Sequence, residues 1–225
     1  MSSVLKRVLT GLTIGAGVVS LIVFLPVDWF LPVVAVLILL AYCEYTTLFA
    51  KKFPKASEVR DLRLLGYVLG YVVIAFGLLA IPEIATRHGN LMLLYVLAII
   101  KFSDVGGFAF GLSSAKLMKG GNHKLCPSIS PGKSWEGLLG SIVFSSVVSC
   151  AFIGITHFGV GKAIFFGVTA ALVGTAGDLV ESKFKCWVGV KDSSTWKITN
   201  GMGGVLDMLD SLLFAPAVFV LLLNF

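Results

Sequence analysis

Seven apolar runs, each near the length that crosses a lipid bilayer, constrain this chain before any other feature does. They are Val8–Leu25, Phe30–Phe49, Leu64–Ile81, Leu91–Leu112, Gly137–Ile155, Ala163–Val180 and Val205–Leu223. A helix needs about 20 apolar residues to cross the hydrocarbon core, and in lipid each backbone N–H and C=O must be satisfied within the protein. The runs therefore predict an all-α fold, a polytopic membrane helix bundle of about seven transmembrane helices. With 57% of residues hydrophobic and 13% charged, a soluble globular domain is excluded. No repeat or low-complexity linker divides the chain, so residues 1–225 are expected to form a single integral membrane domain.

Charge placement sets the orientation. With the N-terminus in the cytoplasm, fifteen of the eighteen Lys and Arg residues fall on the cytoplasmic side. Only Arg87 and Lys162 fall on the other side, and Lys101 lies inside the fourth run. The expected location is the cell (inner) membrane, with the polar loops Ser113–Glu136 and Glu181–Gly204 facing the cytoplasm. The net charge of +6 does not point to a nucleic-acid partner, because the lysines sit in short loops between apolar runs. The basic loop after Phe49 sets topology and touches anionic headgroups. Lys6 and Arg7 precede an apolar stretch as in a signal peptide, but Val8–Leu25 is too long for one and reads as a retained first helix. Cys43, Cys126, Cys150 and Cys186 show neither metal-ligand spacing nor a disulfide framework. His88, His123 and His157 fall in turns and loops and read as solvated residues.

The stretch Gly177–Leu213 carries the densest charge. Asp178, Glu181 and Ser182 share one helical face at the expected end of the sixth run, and Asp207 and Asp210 are i and i+3 at the start of the seventh. If the two helix ends meet, Asp178, Asp207 and Asp210 form an oxygen cage of the kind that hard dications such as Mg²⁺ prefer. The competing explanation is helix capping, to which a carboxylate at a helix start is also suited. Lys185 and Lys191 follow, with Asp192 beside the latter, and Gly201, Gly203 and Gly204 let backbone approach a ligand closely. Alone, the lysines read as topology signals and the glycines as a turn; together with the acids they suggest a metal-held phosphate.

A second constellation is Lys124–Gly137. Ser130 and Pro131 mark an expected helix start, Ser134 is placed to cap a helix beginning near Trp135, and Glu136 suits the first turn. Lys133 beside that helix start is a candidate phosphate contact. In the fourth run, Asp104 followed by Gly106 and Gly107 predicts a broken helix lining a cavity.

These motifs resemble the phosphatidate cytidylyltransferase, or CDP-diacylglycerol synthase, family. The matches are SPGKSWEG (Ser130–Gly137), GDLVES (Gly177–Ser182), Lys191-Asp192 and GGVLDMLDSL (Gly203–Leu212), within a catalytic half at 103–213. In the first half, only the topology and Glu44-Tyr45 look similar. The resemblance implies an integral membrane enzyme that joins CTP to phosphatidic acid, releasing pyrophosphate, with Mg²⁺ as cofactor. It implies that Asp178, Asp207 and Asp210 belong to the metal site and that Lys133, Lys185 and Lys191 lie by the phosphates. The same motifs make Ser130, Ser134, Glu136, Ser182, Asp192, Gly203 and Gly204 candidate substrate-binding residues. The chain departs from the family where Met202 replaces His, Met208 and Leu112 replace Arg, and Cys186 replaces the Arg of a Lys-Arg pair.

The expected reaction is nucleotidyl transfer by a lipid cytidylyltransferase acting on CTP and phosphatidic acid or a related phospholipid. Three readings compete with it: a CTP-dependent lipid kinase, an ion-coupled transporter using Asp104 and Asp178, and a non-catalytic membrane scaffold. A homodimer is left open.

Overall fold

The computed structural model describes residues 3–52, 60–118, 121–190 and 204–225, with backbone alone at 3–12, 14 and 60. In order run α1 (Ser3–Phe24), a 3₁₀ turn (Val27–Trp29), α2 (Phe30–Lys52), α3 (Arg60–His88) and α4 (Asn90–Leu117). A hairpin of β1 (Lys124–Cys126) and β2 (Ser130–Ser134) follows, then α5 (Trp135–Ala151), α6 (Ile153–Thr156) and α7 (Val160–Val188). The chain ends with α8 (Val205–Leu209), a 3₁₀ turn (Asp210–Leu212) and α9 (Ala215–Leu223).

Among the described residues, five helical stretches are long and apolar enough to cross a bilayer: Val27–Lys52, Asp61–His88, Asn90–Leu117, Val160–Val188 and Val205–Leu223. Their outward faces are apolar too: Leu39 is 60% exposed and Phe76 is 68% exposed, as suits lipid contact. The protein is thus an all-α polytopic membrane protein. Of the other two expected runs, the first, Val8–Leu25, lies in α1 up to Phe24, and the second, Gly137–Ile155, holds a shorter apolar helix, Trp135–Ala151. The second is cut short because the backbone leaves helical geometry at Phe152 and ends its last turn at His157, in the left-handed region at φ 56°.

The chain divides into two compact units. The first comprises Met1–Leu94 and Asp192–Leu209. In it α2 packs on α3 through aromatic rings laid over glycines. A Cβ at Gly66 would strike the Phe49 ring and one at Gly70 would strike the Tyr45 ring, so glycine lets both rings lie flat on α3 as they do. The Tyr45 hydroxyl then donates to Gly66 O at 2.9 Å. Helix α8 packs on α2, and the buried Glu44 carboxylate accepts the Leu206 N–H at 2.9 Å. That contact satisfies one of the orphan donors of the α8 N-terminus.

The second unit comprises Tyr95–Lys191 and Asp210–Phe225. Its centre is the α5–α7 pair, joined by small residues that let the two backbones approach. Gly137, Ser141, Ser145 and Ser149 recur every four residues on the buried face of α5. Ser145 Oγ donates to Gly167 O at 2.8 Å, and Ser149 Oγ donates to Ala163 O at 2.6 Å. A Cβ at Gly167 would lie 2.5 Å from Ser146 Cα.

Three local expectations change. Helix α4 is continuous through Asp104, Gly106 and Gly107 rather than broken. Its glycines serve packing, since a Cβ at Gly106 would lie 2.5 Å from Gly140 O on α5. Ser130 and Pro131 lie in a strand, not at a helix start, with Cys126 opposite Ser130 and Lys124 opposite Ser134. Helix α7 runs on to Val188, so Asp178, Glu181 and Lys185 lie within the helix rather than at its end. Gly189, at φ 84°, closes it.

Candidate functional site

The site is built in the second unit, where the hairpin, α4, α7 and the 3₁₀ turn each contribute charge. Ser134 ends β2 in extended conformation, and its hydroxyl accepts the Gly137 N–H at 3.1 Å, as expected of the α5 N-cap. This fixed junction aims the neighbouring Lys133 at α7. Lys133 Nζ donates to Asp178 Oδ2 at 2.6 Å and to Thr175 O at 3.3 Å. Lys133 and Asp178 are each 23% exposed, so water screens the pair only in part. The second oxygen, Asp178 Oδ1, is buried and has no hydrogen-bond partner among the described residues.

Lys133 and Asp178 border a cavity of about 230 Å³. Asp104 and Ser134 add polar lining, while Phe108, Leu125 and Leu138 add an apolar wall. The cavity is thus lined by an ammonium, two carboxylates and apolar side chains.

The Asp210 turn packs on α7. The approach is close because of Gly177, where a Cβ would lie 2.8 Å from Asp210 O. Asp210 Oδ1 accepts the Ser211 N–H at 2.6 Å. Asp178, Asp104 and Lys101 all lie near enough for their charges to act on Asp210. Lys101 and Ser211, which the motifs did not single out, are joined to Asp104. Lys101 Nζ lies 2.9 Å from Ser211 Oγ and 3.3 Å from Asp104 Oδ2, and Ser211 Oγ donates to Asp104 Oδ2 at 3.1 Å. A lysine inside an apolar run was a readable signal; Ser211 had only its place in the GGVLDMLDSL match.

Other expected residues have local partners. Glu181 is buried and pairs with Lys185 one turn later at 3.0 Å, which turns that lysine toward its own helix. Ser182 follows Glu181 and is half-buried. The Glu136 carboxylate accepts the His123 N–H at 3.2 Å and meets His123 Nδ1 at 2.7 Å. The hydrogen bond from the His123 ring holds the Glu136 carboxyl down at about 2, so it is anionic through the neutral range. Asp207 belongs to the first unit. Its Oδ2 accepts the Gly204 N–H at 2.8 Å, an acid three residues into α8 reaching back to its cap. Lys191, Asp192, Gly201, Met202 and Gly203 lie outside the described residues.

Among the described residues no three His, Cys, Asp or Glu side chains converge to hold one metal ion. Mg²⁺ does not require such a cage; it commonly takes one or two carboxylates and completes its shell with water and substrate phosphate. The buried, unpartnered Asp178 Oδ1, with Asp210 on the adjoining turn, is a hard oxygen donor set that fits such an ion.

Fold and site together define an all-α polytopic membrane protein with an acid-and-lysine cavity. Residues 55–225 match the profile of the Cytidylyltransferase family, and the chain belongs to that family. Over 135 residues it is 42% identical to a phosphatidate cytidylyltransferase of Staphylococcus aureus (strain COL), covering 59% of this chain and 49% of that protein. It is 39% identical over 141 residues to one from Haemophilus influenzae, covering 59% and 45% respectively. An uncharacterised protein of Escherichia coli K12, YnbB, is 35% identical over 144 residues, covering 63% and 45%. The chain spans about half the length of the curated relatives it matches.

Proposed function

We propose that this protein transfers a cytidylyl group from CTP to phosphatidic acid, or a related lipid phosphate, in the membrane. The observation that carries the reading is the Lys133–Asp178 pair. It brings the SPGKSWEG and GDLVES motifs, far apart in the chain, to one wall of a half-apolar cavity. The relatives named as phosphatidate cytidylyltransferases support the choice of substrate class.

In this reading a lipid phosphate oxygen attacks the α-phosphorus of CTP. A new P–O bond forms, the bond to the β-phosphate oxygen breaks, and pyrophosphate leaves. The attacking phosphate is already anionic near neutral pH, so no strong base is needed. The barrier is the approach of one anion to another, and positive charge held in place lowers it. Lys133 is the lysine best set for this, standing at the cavity edge with Asp178 holding its ammonium in place. Lys185 and Lys191 are assigned to the phosphates on their motifs, and Ser130, Ser182, Asp192 and Gly203 to substrate binding. Asp178 and Asp210 would hold Mg²⁺, and Asp207 enters the metal site through its motif alone. Bound there, Mg²⁺ would supply charge against the triphosphate. The cytoplasmic placement of the hairpin, the inner-membrane location and a count of seven crossings belong to the same proposal, resting on the lysine and arginine distribution.

The deciding experiment incubates purified protein in detergent or liposomes with labelled CTP, phosphatidic acid and Mg²⁺. CDP-diacylglycerol and pyrophosphate in equal amounts are expected. Release of CDP with a phosphorylated lipid would instead identify a lipid kinase, and no nucleotide turnover would sink both.

A further inference from the structure

The reaction as proposed uses Lys133, Lys185 and Lys191 but gives no task to Lys101. That residue lies well inside α4, in a stretch long and apolar enough to cross the bilayer. An ammonium there is costly, and such residues persist where they face a defined partner. Lys101 has two. Its Nζ is 2.9 Å from Ser211 Oγ and 3.3 Å from Asp104 Oδ2, while Ser211 Oγ donates to the same Asp104 oxygen. The three groups close a triangle between α4 and the 3₁₀ turn. Ser211 is fully buried, and its backbone N–H holds Asp210 Oδ1 at 2.6 Å. The chain of contacts therefore runs from Lys101 through Ser211 to Asp210.

The charges support the same assignment. Asp104, Asp178 and Asp210 lie within range of one another's fields. Lys133 neutralises one carboxylate from the hairpin side. Lys101 neutralises a second from the side of α4. Without it the turn bearing Asp210 would lose its tie to α4.

We infer that Lys101 is a positioning residue of the transfer site: through Ser211 and Asp104 it fixes the turn that presents Asp210. This rests on the proposed reaction only in what the turn is positioned for.

The test compares Lys101→Met, Lys101→Arg and Ser211→Ala with wild type, reading kcat and KM for CTP together with the rise in melting temperature on adding Mg²⁺ without nucleotide. A misplacement of about 1 Å can cost about a hundredfold in rate, so Lys101→Met should lose about ten- to a hundredfold in kcat with a smaller change in KM. It should also lose the Mg²⁺-dependent rise. Lys101→Arg should recover most of both, and Ser211→Ala should fall between. Adding Ser211→Ala to Lys101→Met should cost little more, because the two act through one network. A merely structural lysine would lower the melting temperature and leave the Mg²⁺-dependent rise intact; that result overturns the inference, as does a Lys101→Met protein with wild-type kcat. If wild type makes no CDP-diacylglycerol, the reaction as proposed fails, and the Mg²⁺-dependent rise alone still decides the role of Lys101.

Discussion

Lys133 and Asp178 meet at 2.6 Å, one carried by a short strand and the other by a long membrane helix. The pair leaves Asp178 one committed oxygen and one unpartnered buried oxygen. Removing either partner should therefore do different things. Lys133→Ala removes a charge-assisted contact worth about 1.5–3 kcal/mol, or about ten- to a hundredfold in kcat/KM for CTP. Asp178→Asn keeps the shape but puts an amide where a hard cation needs a carboxylate, and activity should collapse at any practical Mg²⁺ concentration. Steady-state kinetics across a Mg²⁺ series separates the two; equal, Mg²⁺-independent losses would refute the assignment.

Asp207 and Asp210 can be judged by Asp→Asn exchange as well. Asn caps helices about as well as Asp, so folding should persist in both variants. If Asp207 serves the metal, Asp207→Asn loses activity with its melting temperature close to wild type. If its bond to Gly204 is its whole role, the variant stays active. Asp210→Asn should lose activity in either case.

Glu136 gives a pH prediction. Its carboxyl is held at about 2 against an ordinary value of 4.5. A depressed carboxylate contributes stability above its unfolded value, and that contribution is lost as pH falls from about 4.5 through about 2. Between about pH 5 and 9 the group is ionised and constant. Glu136→Gln should thus leave the shape of the pH–rate profile unchanged in that range. Disappearance of an acidic limb in the variant would show that Glu136 titrates during turnover.

The close α5–α7 contact predicts a packing cost. Gly167→Ala sets a methyl 2.5 Å from the Ser146 backbone and should destabilise by about 1–3 kcal/mol. Thermal unfolding in detergent measures this. Gly161, with open space around it, should accept alanine with little change.

Topology is checked by single-cysteine labelling of intact cells. Cysteines at Lys124 and Lys191 should react only from the cytoplasmic side, and one at His157 only from outside. Reaction of positions 124 and 157 from the same side would break the seven-crossing scheme.

Composition and run length made the membrane class readable, because lipid leaves few ways to satisfy a backbone. Motifs in order along the chain made the family readable. Local geometry was harder. Asp104 with two glycines looks like a break in one dimension; only the position of Gly140 shows that the glycines serve helix contact. The sixth run was expected to end at Val180 because hydropathy falls there, yet the Glu181–Lys185 pair carries the helix on with its charges matched one turn apart. Ser130 and Pro131 resembled a helix start because the signals for a cap and for a strand end are the same residue types. The role of Ser211 was illegible, since a serine beside an aspartate says nothing about a lysine more than a hundred residues away.

Gly177 bears on how such a site can change. No atom larger than hydrogen fits between its Cα and the Asp210 carbonyl, so the main chains that carry Asp178 and Asp210 stand at a lower limit of separation. The jaw formed by the two acids can be widened by a methyl at Gly177 but cannot be narrowed by any substitution there. A lineage starting from this chain could spread the two carboxylates in one step. At position 177 only glycine restores the original approach.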